Sequence, residues 1–382
     1  MTGAPTPAGE PNALGPGEIA AATLACLPDM TPARLRALFE HCRGPIAALE
    51  LVRSGGTGRA IPPALRRREH GEWSELARLW TARADPTPTA RRLARRGTRV
   101  WVDGGPDYPI LDGVPDRPAV LLAEGAEPGA LHAPRVAVVG TRAATPHGMA
   151  DARELGAALG DAGITVISGL AIGIDGAVHE GTLAANGSAV GVVATGLDIV
   201  YPRRHALLTE RVRDSGAVLS EQGFGVRPRR GLFPVRNRII AALADVVVVV
   251  EATAGGGARI TAQYALDYGR TVLAVPGSRR NAAAAGTNAL IADGAHPLLD
   301  WGDVLVALGM SPAAGRTSVP APPRPAPGPD GKVLLAALGG ECATPDELSS
   351  RTGLSTPRVA VGLIDLERNG WVQRSRGAIW PQ

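Results

Sequence analysis

The stretch from Leu232 to Gly277, LFPVRNRIIAALADVVVVVEATAGGGARITAQYALDYGRTVLAVPG, reads as helix, strand, glycine-rich turn, helix, strand. Pro234 suits the first position of a helix, where its missing N–H would go unpaired anyway. Ile239, Ile240 and Leu243 then fall on one face of that helix. Val246 to Val250 is an unbroken β-branched run, the pattern of a strand covered on both faces. Gly255-Gly256-Gly257 allows a sharp turn into a second helix, whose N-terminal amides point outward. Val272 to Val275 repeats the buried strand and stops at Pro276-Gly277. Together these pieces make half of a doubly wound sheet with a basic, glycine-rich mouth.

Upstream of this stretch the same alternation continues. Strands are predicted at Val136–Val139, Thr165–Ser168, Val190–Val193 and Ala217–Ser220, with helices near Gly148–Leu159, Gly173–Ala184 and Arg203–Val212 between them. Strands alternating with helices of this length imply a parallel sheet with right-handed crossovers. The expected fold class is therefore α/β, with a doubly wound, mainly parallel sheet over 98–310. Residues 17–97 read as an N-terminal helical module: Thr31-Pro32 is an N-cap followed by proline, with Leu35, Leu38 and Phe39 at helical spacing. Residues 1–16 are rich in Pro, Gly and Ala and are expected to be disordered. Residues 311–330, SPAAGRTSVPAPPRPAPGPD, read as a Pro-rich linker. Beyond it, over 331–382, Thr344-Pro345-Asp346-Glu347 is a capping box, and a second helix starts at Ser355-Thr356-Pro357. Strands around Gly377 then close a hairpin, which gives the pattern of a winged helix.

Composition narrows the function classes. The chain has 382 residues, enough for two or three domains, with 45% hydrophobic and only 3% aromatic residues. Net charge is +4, and the cationic side is arginine almost throughout, since Lys332 is the sole lysine. Arginine binds phosphate bidentately in a way lysine does not. Three cysteines at no metal-ligand spacing (Cys26, Cys42, Cys342) argue for a reducing compartment. With no apolar run approaching a membrane span and no secretory leader, a soluble cytoplasmic protein is expected, without membrane partners.

In an open α/β sheet ligands bind beyond the carboxyl ends of the strands. Here those ends carry Gly140-Thr141-Arg142, Ser168-Gly169, Thr195-Gly196, Ser220-Glu221, Gly255-Gly256-Gly257 and Pro276-Gly277-Ser278, a floor on which backbone amides can approach an anion. Gly140 to Gly148 is not GxGxxG, strand two ends without the acidic residue a ribose needs, and no Walker lysine occurs, so no nucleotide cofactor is expected. Arg227, Arg229, Arg230, Arg236 and Arg238 lie close together with Phe233 among them. Arginines neutralise phosphates and an exposed ring stacks on a base, which holds unpaired nucleic acid without reading its sequence. Phe233 before a helix also fits a hydrophobic staple. Arg236 and Arg238 stand roughly 200° apart around a helix, so one is expected to pair internally with Glu221 or Glu251. Arg236 is the weaker DNA contact on this reading.

These residues lie in longer strings: DYPILDGVPDRPAVLLAEG, VAVVGTRAATPHG, SGLAIGIDGAVHEGTL, GLDIVYP, LFPVRNRIIAALAD, VVVEA and AVPG. Through them the chain resembles the DNA-processing protein A (DprA, also called Smf) family over about residues 100–300. The resemblance implies an extended Rossmann fold that binds single-stranded DNA, dimerises, and helps load the RecA recombinase during natural transformation. It places Arg142 and the segment around Phe233 and Arg236 at the DNA pocket. The candidate DNA-binding set is Gly140, Thr141, Arg142, Ser168, Gly169, Arg227, Arg229, Arg230, Phe233, Arg236, Asn237, Arg238 and Gly256, with no catalytic or metal residue.

The chain departs from the family pattern in three places. Cys26 to Thr31 lacks the glycines of a Leu-Pro-Gly-Ile-Gly hairpin. His205 stands where an asparagine is usual after Tyr201-Pro202. The second helix of the C-terminal unit holds only Arg358 and Arg368 as basic residues, which favours docking or dimerisation there over DNA reading. The competing reading is an enzyme, since related Rossmann folds are nucleotide phosphoribohydrolases with a PGGxGTxxE-type turn. In the corresponding turn here Thr261 and Gln263 cannot act as carboxylate general acids or bases, which leaves Asp175, Glu180 and Glu251 as nearby carboxylates.

Overall fold

The computed structural model describes residues 14–66, 72–109, 111, 113–125, 131, 134–311, 325–375 and 377–381. Most of the expected N-terminal tail, and 312–324 of the expected linker, lie outside the described residues.

The strands of the core are β1 (Arg99–Val102), β2 (Val120–Glu124), β3 (Arg135–Val139), β4 (Thr165–Ser168), β5 (Ala189–Val192), β6 (Ala217–Ser220), β7 (Val246–Val249), β8 (Thr271–Ala274) and β9 (His296–Pro297). Among the described residues they form one sheet in the order β1-β2-β6-β5-β4-β3-β7-β8-β9. From β6 to β9 every neighbouring pair is parallel, while β1–β2 and β2–β6 are antiparallel. The α/β class and mainly parallel sheet are as expected; the antiparallel edge was not anticipated from the sequence.

The valine run at β7 shows why the centre is parallel and buried. Val247 and Val249 pack into one cluster, with Ile239, Ile240 and Leu243 of α10 (Leu232–Leu243) and Ala258, Ala262 and Ala265 of α11 (Gly257–Asp267). Val246 and Val248 pack into the opposite cluster, with Ala152, Leu155 and Leu159 of α7 (Pro146–Asp161) and Ile174, Ala177 and Val178 of α8 (Ile174–Ala184). Alternate side chains on opposite faces require both faces to be apolar. Pro234 does not open α10 as expected: the helix begins at Leu232, so Pro234 is its third residue. It is tolerated there because N–H groups of the first turn have no intrahelical partner.

The N-terminal helices are α1 (Pro16–Ala25), α2 (Pro32–Cys42), α3 (Pro45–Arg53), α4 (Thr57–Ala60), α5 (Trp73–Arg83) and α6 (Pro86–Arg96). Thr31 caps α2 by accepting from the Arg34 N–H, as its sequence suggests. Their apolar faces share a core with β1, β2 and α9 (Ala206–Ser215), so the compositional boundary near residue 97 is not a packing boundary. Buried Glu124 of β2 fastens the joint, accepting from Arg96 Nε at 2.6 Å and Thr98 Oγ1 at 2.9 Å with Arg213 Nε 3.3 Å away.

After α12 (Ala285–Ala292) and α13 (Gly302–Ala307), the C-terminal unit has its own core. It comprises α14 (Pro329–Leu338), α15 (Pro345–Thr352), α16 (Thr356–Arg368) and the antiparallel hairpin β10 (Val372–Ser375) with β11 (Ala378–Pro381), a winged helix. Both bonds of the Thr344–Glu347 capping box are formed. The helix α14 begins inside the stretch whose prolines read as linker, because Pro329 can occupy a first helical position.

Candidate nucleic-acid interface

The chain runs outward from β3 through β4 and β5 to β6, then returns to place β7 on the other side of β3. That reversal leaves a crevice at the carboxyl ends of β3 and β7. A cleft of about 360 Å³ opens there, walled by Gly140, Thr141 and Arg142 after β3, Phe233, Pro234, Arg236 and Asn237 of α10, and Gly256 and Gly257 at the start of α11. No side chain caps α11, so its first amides and positive dipole end face the cleft. Beside it lies a recess of about 30 Å³ between Gly169, Ala171 and Ile172 on one wall and Tyr201 and Pro202 on another. Arg142, Phe233 and Arg236 border both spaces.

Phe233 and Arg142 form the partition. The Arg142 guanidinium lies 4.6 Å from the Phe233 ring centroid, and the Tyr201 ring lies 5.6 Å from the same centroid, tilted by 46°. Phe233 is half-buried and Arg142 exposed, and Tyr201 is 44% exposed. Among the described residues no carboxylate lies within ion-pair reach of Arg142, so its charge is left for a ligand. A cation on an aromatic face is held in orientation without being neutralised.

Arg236 is set differently. It is 6% exposed and donates through Nη1 to the carbonyls of Gly169 (2.7 Å) and Val192. Burial pushes its pKa down to about 10, against the stabilising charge of Asp175. Asp175 is buried too and accepts from the Gly169 and Ala171 amides at 3.1 and 3.4 Å. Burial pushes its carboxyl above the usual range, opposed by Arg236 and those amides. Asn237 joins the set, accepting from Arg236 Nε and donating to the Gly257 carbonyl. Arg236 is thus a buried brace whose remaining edge borders the cleft.

The expected set separates into three groups. Gly140, Thr141, Arg142, Phe233, Arg236, Asn237 and Gly256 line the cleft, and Gly169 lines the recess. Ser168 and Arg238 do not reach it. Ser168 is buried at the end of β4, donating to the Val138 carbonyl at 2.6 Å. Arg238 is turned to the far side of α10, where Nη2 donates to both Glu221 oxygens at 2.5 and 2.6 Å. The 200° separation therefore resolves with Glu221 as the internal partner, because α10 packs one flank on the end of β6. The exposed arginines Arg227, Arg229 and Arg230 lie on the loop entering α10, outside the cleft, and Arg229 is 3.5 Å from Asp29 of the hairpin that lacks its glycines. Tyr201 and Ile172 were missed; in a chain with four tyrosines, the one in GLDIVYP was the available signal. Of the carboxylates a hydrolase would need, Asp175 is engaged as described, and Glu251 accepts from Thr145 N at 2.9 Å and Thr145 Oγ1 at 2.6 Å.

Comparison with known proteins gives the family and agrees with the fold. Residues 99–309 match the family model of DNA recombination-mediator protein A, and residues 318–378 match the DprA winged helix domain. A putative DNA processing protein DprA of Mycobacterium tuberculosis is 37% identical over 363 residues, covering 88% of this chain and 87% of the relative. The Escherichia coli protein Smf is 37% identical over 269 residues, covering 69% and 72%. The crystal structure of DNA processing protein A from Streptococcus pneumoniae superposes with a TM-score of 0.62 at 29% identity, covering 77% of this chain and 98% of that one. A structure from Helicobacter pylori, described for its single-stranded DNA binding mode, matches with a TM-score of 0.50 at 26% identity over 55% of this chain and 95% of that one. With more than half of its length matched by this family model and relatives 37% identical over most of both chains, the chain is a member of the DNA recombination-mediator protein A (DprA/Smf) family.

Proposed function

We propose that the chain is a non-enzymatic recombination mediator that holds single-stranded DNA across this cleft, with a phosphate between Arg142 and the start of α11 and a base against Phe233. The observation that carries the reading is Arg142 itself: a guanidinium with no carboxylate partner among the described residues, oriented by Phe233 at the mouth of an amide-lined cleft. Only an unstacked base reaches the ring, so single strands are favoured over duplex. The exposed Arg227 and Arg230 extend the phosphate track beyond the cleft. In the cell the proposed role is to protect incoming strands and load RecA onto them during transformation, in the cytoplasm and as a homodimer formed through the Rossmann core.

Fluorescence anisotropy with single- and double-stranded oligonucleotides of equal length tests the binding: tighter single-strand binding is expected, and equal affinity for both forms would overturn it. Light scattering is expected to give twice the chain mass at micromolar concentration; a monomer would remove the dimer. The alternative, a nucleotide hydrolase working through Glu251, predicts release of free base from a nucleoside monophosphate. No turnover is expected.

A further inference from the structure

We propose that His205 is a positioning residue of the binding site, stapling the two walls of the recess beside Phe233 and so setting its width. This rests on the single-stranded DNA reading above. The first wall is the loop after β4. Leu170, at its centre, is fully buried yet has φ of 54°. A leucine rarely adopts this left-handed conformation, because its β-carbon crowds the carbonyl oxygen. The residues around it are tied from every side: Gly169 N and Ala171 N donate to Asp175, and the Gly169 carbonyl accepts from Arg236. The left-handed turn aims the Leu170 carbonyl away from these partners, and His205 meets it, with Nδ1 3.0 Å from the oxygen. A carbonyl only accepts, so the ring must carry its proton on Nδ1.

The second wall runs into His205 directly. Tyr201 and Pro202 border the recess, and the short 3-10 turn Arg203–His205 follows them. The His205–Leu170 bond therefore joins the Tyr201 wall to the Gly169–Ile172 wall across the gap a base would enter. Gly176 makes room for the ring, since a β-carbon there would overlap His205 Cε1. An asparagine at 205, shorter but with an amide donor, could reach the same carbonyl; an alanine could not.

The test uses the full chain and two variants, His205→Ala and His205→Asn, with an oligothymidylate and an abasic strand of equal length as probes. His205→Ala is expected to weaken oligothymidylate binding roughly fivefold, the scale of one hydrogen bond, while abasic binding and the salt dependence stay unchanged. His205→Asn is expected to restore parental discrimination. Hydrogen exchange of the free protein should quicken at residues 169–172 in His205→Ala and remain slow in His205→Asn. An equal loss on both strands, or unaltered exchange at that loop, would overturn the proposal. If the parent binds neither strand, the DNA reading fails, and exchange still decides whether His205 holds the loop.

Discussion

At the scale of single residues, the roles proposed for Arg142 and Phe233, a phosphate contact and a stacking face, rest on different physics. Arg142→Ala removes a phosphate contact that releases counterions, so the log–log salt dependence of single-strand binding should become shallower by about one unit. Phe233→Ala removes a stacking face, with a loss of about 1–3 kcal/mol and little change in that slope. Salt titrations of both variants, with thermal melts to exclude unfolding, separate the two. A Phe233→Ala protein that binds like the parent but melts several degrees lower would make the ring a packing staple.

His179 poses a different question at the same scale. It is fully buried in α8, and neither ring nitrogen has a partner among the described residues. Burial pushes its pKa down from 6.5 to about 3, with His205 acting in the same direction. Between these values the unfolded chain binds a proton that the folded chain refuses, so this contribution to stability is present above pH 6.5 and is lost as pH falls toward 3. Its slope is at most about 1.4 kcal/mol per pH unit. Denaturant titrations should show a His179→Leu variant gaining on the parent as pH falls from 7 to 5; a pH-independent difference between the two would refute this.

At the scale of elements, the site depends on how α10 is anchored. One flank carries Phe233 and Arg236 to the cleft; the other is fixed by Arg238 to buried Glu221 at the end of β6, with Asp116 3.6 Å from Arg238 Nε. Asp116 in turn accepts from Tyr268 at the end of α11. Breaking a buried pair from one side strands a charge, so Arg238→Met should destabilise by about 3–5 kcal/mol, and Arg238→Met with Glu221→Leu should recover most of the loss. Chemical denaturation of the single and double variants measures this. A double variant no more stable than the single would show that packing, rather than the stranded carboxylate, is responsible.

At the scale of the molecule, the winged helix has a core of its own and carries little free charge where such units read DNA. On α16, Arg358 is held by Asp330, while Val361 and Ile364 are 69% and 53% exposed. The winged helix meets the core where the Trp380 ring lies 5.6 Å from that of His147 and where Arg280 pairs with Glu341 at 3.8 Å. A chain ending at residue 310 should keep single-strand affinity within about tenfold of the parent, because the phosphate contacts proposed above lie in the core. A larger loss by anisotropy would make the wing part of the DNA site. The N-terminal helices are in a different position, since they share their core with β1, β2 and α9.

The sequence alone determined those features whose cause is local. A strand buried on both faces must be apolar at every position, so Val246 to Val250 is legible without knowing its neighbours, as are the glycine-rich strand ends and the capping box at Thr344. The angle between Arg236 and Arg238 is also local, and it sufficed to say that the two side chains enter different surroundings. Tertiary structure decided what depends on residues distant in the chain. Glu221 is Arg238's partner because β6 ends beneath α10. Arg229 meets Asp29 because the N-terminal helices pack on the core, and Tyr201 joins Phe233 because the loop after β5 meets the start of α10. The antiparallel edge of β1 and β2 was hidden for the same reason: strand direction is set by pairing across the sheet, and a segment of four or five residues leaves no periodic mark of it. Leu170 is the extreme case, since its left-handed backbone opposes its own residue type and persists only because Asp175, Arg236 and His205 hold the loop around it.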